Sequence, residues 1–211
     1  MSAYATLIGA KTTAGSIARW ANSDAIDADT ILTEAQALIY RELRVRQMIA
    51  TPATGTMSVG VETLTLPTDF LDPIWFGYTG ATYADKIDLK TVDEVENDRA
   101  HAADDTLQTG KPTIYYVRDG YAQFSRQIDI AYPYRLVYYK RPAALGSLNT
   151  TNFLTETMPR LLRAACLAAA SEFLKKADDK AWWTERMAEE IARENQAGDR
   201  YRGVDIQVTT P

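Results

Sequence analysis

Few residues in this chain have the types and spacing that chemistry needs. Its 211 residues include one cysteine, Cys166, and one histidine, His101. A thiolate nucleophile would need both, because the imidazole must take the thiol proton. Cys166 stands mid-helix among Ala and Leu, where a thiol behaves as a small buried hydrophobe. His101 lies in a polar helical stretch flanked by Ala, so the pairing is not expected. Asp69 and Asp72 flank Phe70-Leu71, and Asp104-Asp105 are adjacent. Such pairs can hold a hard cation or move protons, yet each falls at a turn or helix end, where Asp serves the backbone. A phosphate-cradling Gly-rich loop, a G-x-S-x-G elbow and an H-E-x-x-H pair are all missing. The expectation is no catalytic residue, no cofactor and no metal.

The aromatic residues offer a different chemistry. Tyr115, Tyr116, Tyr121 and Phe124 could form a stacking platform for single-stranded nucleic acid or sugar rings. Neighbours along a strand point to opposite faces, so about half of these rings belong to the core. Residues 52–149 also carry 9 Lys+Arg against 13 Asp+Glu, the wrong sign for gripping phosphates. A carbohydrate- or nucleic-acid-binding module remains an alternative function.

Composition bounds the remainder. A net charge of −5, 46% apolar and 24% charged residues describe a globular chain of one domain or two small parts. One cysteine excludes an internal disulfide framework and a Cys-rich zinc site. The longest charge-free stretches, Ile49–Val61 and Pro142–Thr155, are too short to span a bilayer. The N-terminus has no basic leader before its apolar run, so a cytoplasm-like compartment is expected and no membrane partner.

The prolines set out the elements. Six of eight fall between Pro52 and Pro142, which reads as helix, then a β-rich middle, then helix. The fold class expected is α+β: an antiparallel helical bundle from the two terminal segments with an inserted small antiparallel sheet or sandwich. Its parts are residues 1–51, an insertion at 52–149, residues 150–197 and an extended tail at 198–211. The first part holds a short helix at Thr12–Ala21, a turn at Asn22-Ser23-Asp24, and a second helix capped by Asp27 or Asp29. That helix carries a stripe of Ile31, Ala35, Leu38, Ile39 and Leu43. Arg41, Arg44 and Arg46 gather at its C-terminal end, either complementing the helix dipole or forming a partner-facing basic patch.

In the insertion, strands are expected at Met57–Val61, Leu64–Leu66, Ile74–Tyr78, Thr113–Arg118, Tyr121–Ser125, Ile128–Ile130 and Arg135–Lys140. Asp119-Gly120 suits a tight hairpin turn. Thr91–Ala103 reads as a helix with Thr91 as N-cap and Glu94 in the capping-box position. In the second helical part, Thr157 is the expected N-cap, with Pro159 in the first turn. The stripe there is Leu162, Ala165 or Cys166, Ala169 and Phe173. Asp178-Asp179 is expected as a break or a cap before a last helix, Lys180–Gln196, with Trp183, Met187 and Ile191 on one face. Beyond Gly198, Val204, Ile206 and Val208 alternate with polar residues, a strand period at the chain's end. Such a tail either adds to another subunit's sheet edge or frays.

In order and spacing these pieces resemble the head-to-tail adaptor, or connector, proteins of tailed bacteriophages and related gene-transfer particles. The matching residues are Tyr40-Arg41-Glu42-Leu43-Arg44-Val45-Arg46-Gln47-Met48 and Leu66-Pro67-Thr68-Asp69-Phe70-Leu71. Gly110-Lys111-Pro112 leading into Tyr115-Tyr116 matches too. So do Tyr138-Tyr139-Lys140-Arg141-Pro142 with Leu145, and Asn149–Leu154 before an Ala-rich helix. The resemblance implies a non-enzymatic virion neck protein, made in the host cytoplasm. It would form a homo-oligomeric ring, typically of twelve subunits, between portal protein and tail or nozzle protein, extending the DNA channel. It also implies a portal-engaging C-terminal segment, here Tyr201, Val204, Ile206 and Val208. A tail-terminator or tail-tube component is the rival of the same class, distinguished by its mainly β content.

A DNA conduit should not hold DNA tightly, since each phosphate neutralised by Lys or Arg strengthens adhesion. Residues 85–105 hold eight acidic and three basic side chains, a balance equal to that of the whole chain. Asp93, Glu94, Glu96 and Asp98 are therefore the expected lining of the channel or its mouth. The competing explanation is an ordinary solvated helix face.

Overall fold

Five helices and seven strands make an α+β fold among the described residues of a computed structural model, 28–80, 85–100, 108–146 and 148–201. In chain order, α1 (Ala28–Glu42) and a 3-10 turn (Arg46–Met48) precede β1 (Ala53–Met57), β2 (Thr63–Thr65), β3 (Phe70–Tyr78) and β4 (Asp88–Leu89). Then follow α2 (Val92–Ala100), β5 (Ile114–Arg118), β6 (Tyr121–Phe124), β7 (Tyr132–Lys140), α3 (Phe153–Glu156), α4 (Pro159–Phe173) and α5 (Ala177–Tyr201). Two compact units result: the described parts of Met1–Met48 with Pro142–Pro211, and Ile49–Arg141. The expected helix at Thr12–Ala21, its following turn and the Asp27 cap lie outside the described residues.

In the helical unit, α1 buries Ile31, Ala35 and Ile39 at helical spacing, and Leu43 continues the buried stripe just past its end. Leu38 is only half-buried, and Leu32, Gln36 and Tyr40 take the remaining core positions. Gln36 stays buried because its amide is satisfied. Leu145 N–H donates to Oε1 at 2.7 Å, and Nε2 donates to the carbonyls of Leu145 and Leu32, both at 3.2 Å. Helix α4 packs against both α1 and α5. Its small side chains, from Ala164 through Ser171, are all buried.

Helix ends differ from expectation in two places. Thr157 caps the C-terminus of α3, its hydroxyl donating to Phe153 O at 2.8 Å, instead of starting α4. The N-cap of α4 is Met158, with Pro159 supplying the pre-set first turn. Asn152 provides the missing cap one helix earlier: it accepts from Leu154 N at 2.9 Å, while Thr155 Oγ1 accepts from Asn152 N at 3.0 Å. The α4–α5 break lies at Lys175, in the left-handed region with φ 56°, and not at Asp178-Asp179. Those two carboxylates occupy the first turn of α5, where the dipole favours them. Phe173, expected in the stripe, is 55% exposed, whereas Met187 and Ile191 are buried and Trp183 is half-buried.

The β unit has two sheets, β1-β7-β3 and β2-β6-β5-β4. All pairs are antiparallel except β4 with β5, a parallel pair that the expected antiparallel sheet did not include. Asp119 (φ 41°) and Gly120 (φ 79°) form the tight turn between β5 and β6, as that dipeptide requires. The strand expected at Met57–Val61 sits earlier, at β1, because Val59-Gly60 forms a turn with Gly60 at φ 79°. Strand β3 begins at Phe70 and runs through Pro73, at the sheet edge, with register shifts on either side of that proline. Ile128–Ile130 is not a strand; Ile128 N–H instead bonds Val61 O at 3.0 Å, and its carbonyl accepts from Gly60 N at 2.8 Å. Met57, Phe76, Ile87, Phe124, Ile128 and Leu136 fill the core, with Tyr115 and Tyr134 edge-on to Phe76 at 5.1 and 5.9 Å.

Candidate functional site

The acidic segment is built around α2. Thr91 and Glu94 form a reciprocal capping box: Glu94 N–H donates to Thr91 Oγ1 at 3.3 Å, and Thr91 N–H donates to Glu94 Oε2 at 3.1 Å. The Thr91 backbone and hydroxyl bonds, with Lys90 beside them, hold the Glu94 carboxyl below its ordinary range. Glu96 accepts from the Tyr116 hydroxyl at 2.9 Å and meets Arg99 at 3.3 Å. Desolvation, reinforced by that carboxylate, pushes the Tyr116 hydroxyl up. Arg99 in turn pairs with Glu62 at 2.7 Å and donates to Phe124 O at 2.8 Å, which fastens the helix to the sheet.

These pairings divide the four candidate channel-lining residues. Asp98 lies 3.8 Å from Arg126, and Lys86 and Lys111 pair with Asp88 and Asp85. At about 100° per residue, buried Val95 marks the inward side of α2 and Asp93 points nearly opposite. Glu94, Glu96 and Asp98 flank it in different directions. Asp93 is exposed and has no ion pair among the described residues. The cluster thus consists of structural pairs around one outward carboxylate, a distinction that composition could not make.

The arginines at and just beyond the end of α1 differ in burial. Arg44 is half-buried and donates to the carbonyls of Tyr40 (3.1 Å) and Leu43 (2.8 Å), answering the helix's unpaired C-terminal acceptors. Arg41 and Arg46 are exposed. Asn195 of α5, which nothing in the sequence singled out, completes this end: it accepts from Arg44 N at 2.7 Å and donates to Glu42 O at 3.0 Å. Gly198, where the extended tail was expected to begin, lies inside α5, which runs on to Tyr201; a Cβ there would stand 3.3 Å from Arg44 O.

The stacking platform is not assembled. Tyr115, Tyr116 and Phe124 are buried, and Tyr121 alone of the four is exposed, at 43%. It borders a cleft of about 470 Å³ lined by Leu66, Pro67, Phe70, Leu71 and Val117. Tyr138, stacked on Phe70 at 5.5 Å, donates to Asp69 at 2.9 Å; burial and this carboxylate push its hydroxyl to about 12. Asp69 is therefore a strand anchor rather than half of a carboxylate pair.

Burial likewise pushes the Cys166 thiol to about 12, far from a nucleophile's range. His101, Asp104, Asp105 and the tail residues Val204, Ile206 and Val208 lie outside the described residues, as does the side chain of Tyr201. Among the described residues, no group of three or more His, Cys, Asp or Glu could hold a metal ion, and no helix is long and apolar enough to cross a membrane.

No curated protein matches the chain. A family described as SU10 adaptor protein matches residues 4–208, which takes in both units described above. The chain belongs to the SU10 adaptor family and is a structural adaptor protein of bacteriophage.

Proposed function

We propose that this adaptor forms a homo-oligomeric ring beneath the portal vertex, joins the filled capsid to the tail or nozzle, and extends the DNA channel. The observation that carries the reading is the family match across residues 4–208. The fold supports it: five helices do not suit a mainly β tail-terminator or tail-tube component. The burial of Tyr115, Tyr116 and Phe124 removes the surface a glycan- or nucleic-acid-binding module would need. The ring is expected to hold twelve copies, as the resemblance implies. In this reading α2, led by Asp93, faces passing DNA and keeps it from adhering. Arg41 and Arg46 form the partner-facing part of the basic cluster.

The test is electron microscopy of the full-length protein mixed with its cognate portal. A ring decorating one end of the portal is the expected result. A bare portal at saturating adaptor concentration would overturn the reading. A monomer in the absence of portal is compatible with it, since the portal's own symmetry can template assembly.

A further inference from the structure

Edge strands present unpaired N–H and C=O groups, and proteins ordinarily protect them with charge, proline, bulges or brevity. Three of the four sheet edges here are protected in that way. β3 carries Pro73 and register shifts, β2 has three residues and β4 has two. β1 is the exception. It is an edge of its sheet, pairs with β7 in unbroken register over five residues, and contains no charge or proline. It lies within the charge-free stretch Ile49–Val61, and Thr54, Gly55 and Thr56 are exposed. Exposed Val59 follows it, and exposed Ile130 lies just before the partner strand β7.

The faces of β1 specify what would fit. Side chains alternate along a strand, so Ala53, Gly55 and Met57 point one way and Thr54 and Thr56 the other. Met57 marks the inward face as the core face. At its centre Gly55 has no side chain, and the half-buried Tyr134 ring lies 3.0 Å from where a Cβ would be. A strand lying beside β1 would therefore bring apolar side chains over Tyr134 and polar ones beside the two threonines.

The chain has such a segment. Ten residues follow Tyr201, and Val204, Ile206 and Val208 alternate with Asp205 and Gln207 over five residues, the length of β1. The family match extends to residue 208 and so includes all of it. We infer that the tail of one copy adds as a strand to β1 of the next. Main-chain hydrogen bonds would supply the grip, and the Val204, Ile206 and Val208 face the fit. Pairing β1 with a second β1 is a self-complementary contact that closes as a dimer. Tail on β1 is head-to-tail and repeats around a ring. The inference rests on the ring reading above and names the lateral contact that holds it.

The test uses full-length double-cysteine variants, each combining Thr54→Cys or Thr56→Cys with Asp205→Cys or Gln207→Cys. Adjacent strands place Cα atoms about 4.5–5.5 Å apart, within disulfide range. Oxidation of the portal-bound complex should give a ladder of covalent multimers in at least one combination. Amides of residues 53–57 should exchange at least about tenfold more slowly in the ring than in the free protein. A ring that forms with neither ladder nor protection overturns strand exchange and leaves the ring reading intact. A disulfide within single chains overturns it as well. A ring in which β1 stays unprotected and the tail is found against portal protein instead does the same. A portal left bare overturns the ring reading and this inference with it.

Discussion

At the residue scale, the decisive side chains are polar ones that complete main-chain hydrogen bonding. Gln36 is the clearest case, since its amide binds both main-chain groups of Leu145, 109 residues away. Gln36→Ala would strip a buried N–H and a buried C=O of their partner, at a cost of about 2–4 kcal/mol. Urea unfolding of the variant should show it as a lower midpoint; an unchanged midpoint would deny Gln36 this role. Glu94 yields a pH prediction. Its carboxyl titrates below the ordinary range, so its charged form is favoured in the folded helix. That contribution is present above the ordinary carboxylate range and is lost as pH falls through Glu94's lowered value. In a carbon-detected NMR titration Glu94 should titrate below the exposed glutamates, and Thr91→Ala should bring it back among them.

At the element scale, a single glycine decides how β3 meets the segment entering β4. Gly77 bridges Lys86, and a Cβ at that position would lie 2.5 Å from Asp85 O and 2.6 Å from the Trp75 ring. The close approach lets Tyr78 N–H reach Asp85 O and Ile87 N–H reach Phe76 O, both at 2.9 Å. Gly77→Ala should force these apart, costing about 1–3 kcal/mol, as overpacking typically does. Amide exchange at Tyr78 and Ile87 should rise with it; exchange as slow as in the parent would show that the neighbours give way without loss. Ends of elements follow the same logic. Thr157 is an N-cap type by residue identity, yet its hydroxyl returns to Phe153 and Asn152 does the capping.

At the scale of the whole molecule, the charge balance acquires an address. The −5 of the chain matches the excess in residues 85–105, but ion pairs occupy most of those carboxylates in the described structure. Asp93 is the one on α2 that faces outward with no ion pair among the described residues. If α2 borders the channel, Asp93→Arg repeated around a ring should strengthen DNA retention in a salt-dependent manner. Retention by the portal–adaptor complex, measured in a salt series, should exceed that of the parent. Equal retention at all salt concentrations would place α2 away from the DNA.

Local signals were legible because they act within a few residues. The stripe of Ile31, Ala35, Ile39 and Leu43, the Thr91–Glu94 capping box, the Asp119-Gly120 turn and the helix–β–helix order all depend on spacing along the chain. The adaptor family was legible in the same way, from the order of short motifs. Only the tertiary structure decided which tyrosines are core, which carboxylates are paired, that β4 runs parallel to β5, and that Gln36 and Asn195 close distant main-chain gaps. Those outcomes depend on groups that meet across separations as different as 20 residues for Glu96 with Tyr116 and 151 for Asn195 with Arg44, and no periodicity records them. Backbone propensity is a short-range property, whereas satisfying a buried polar group depends on the packed surroundings that the whole chain creates.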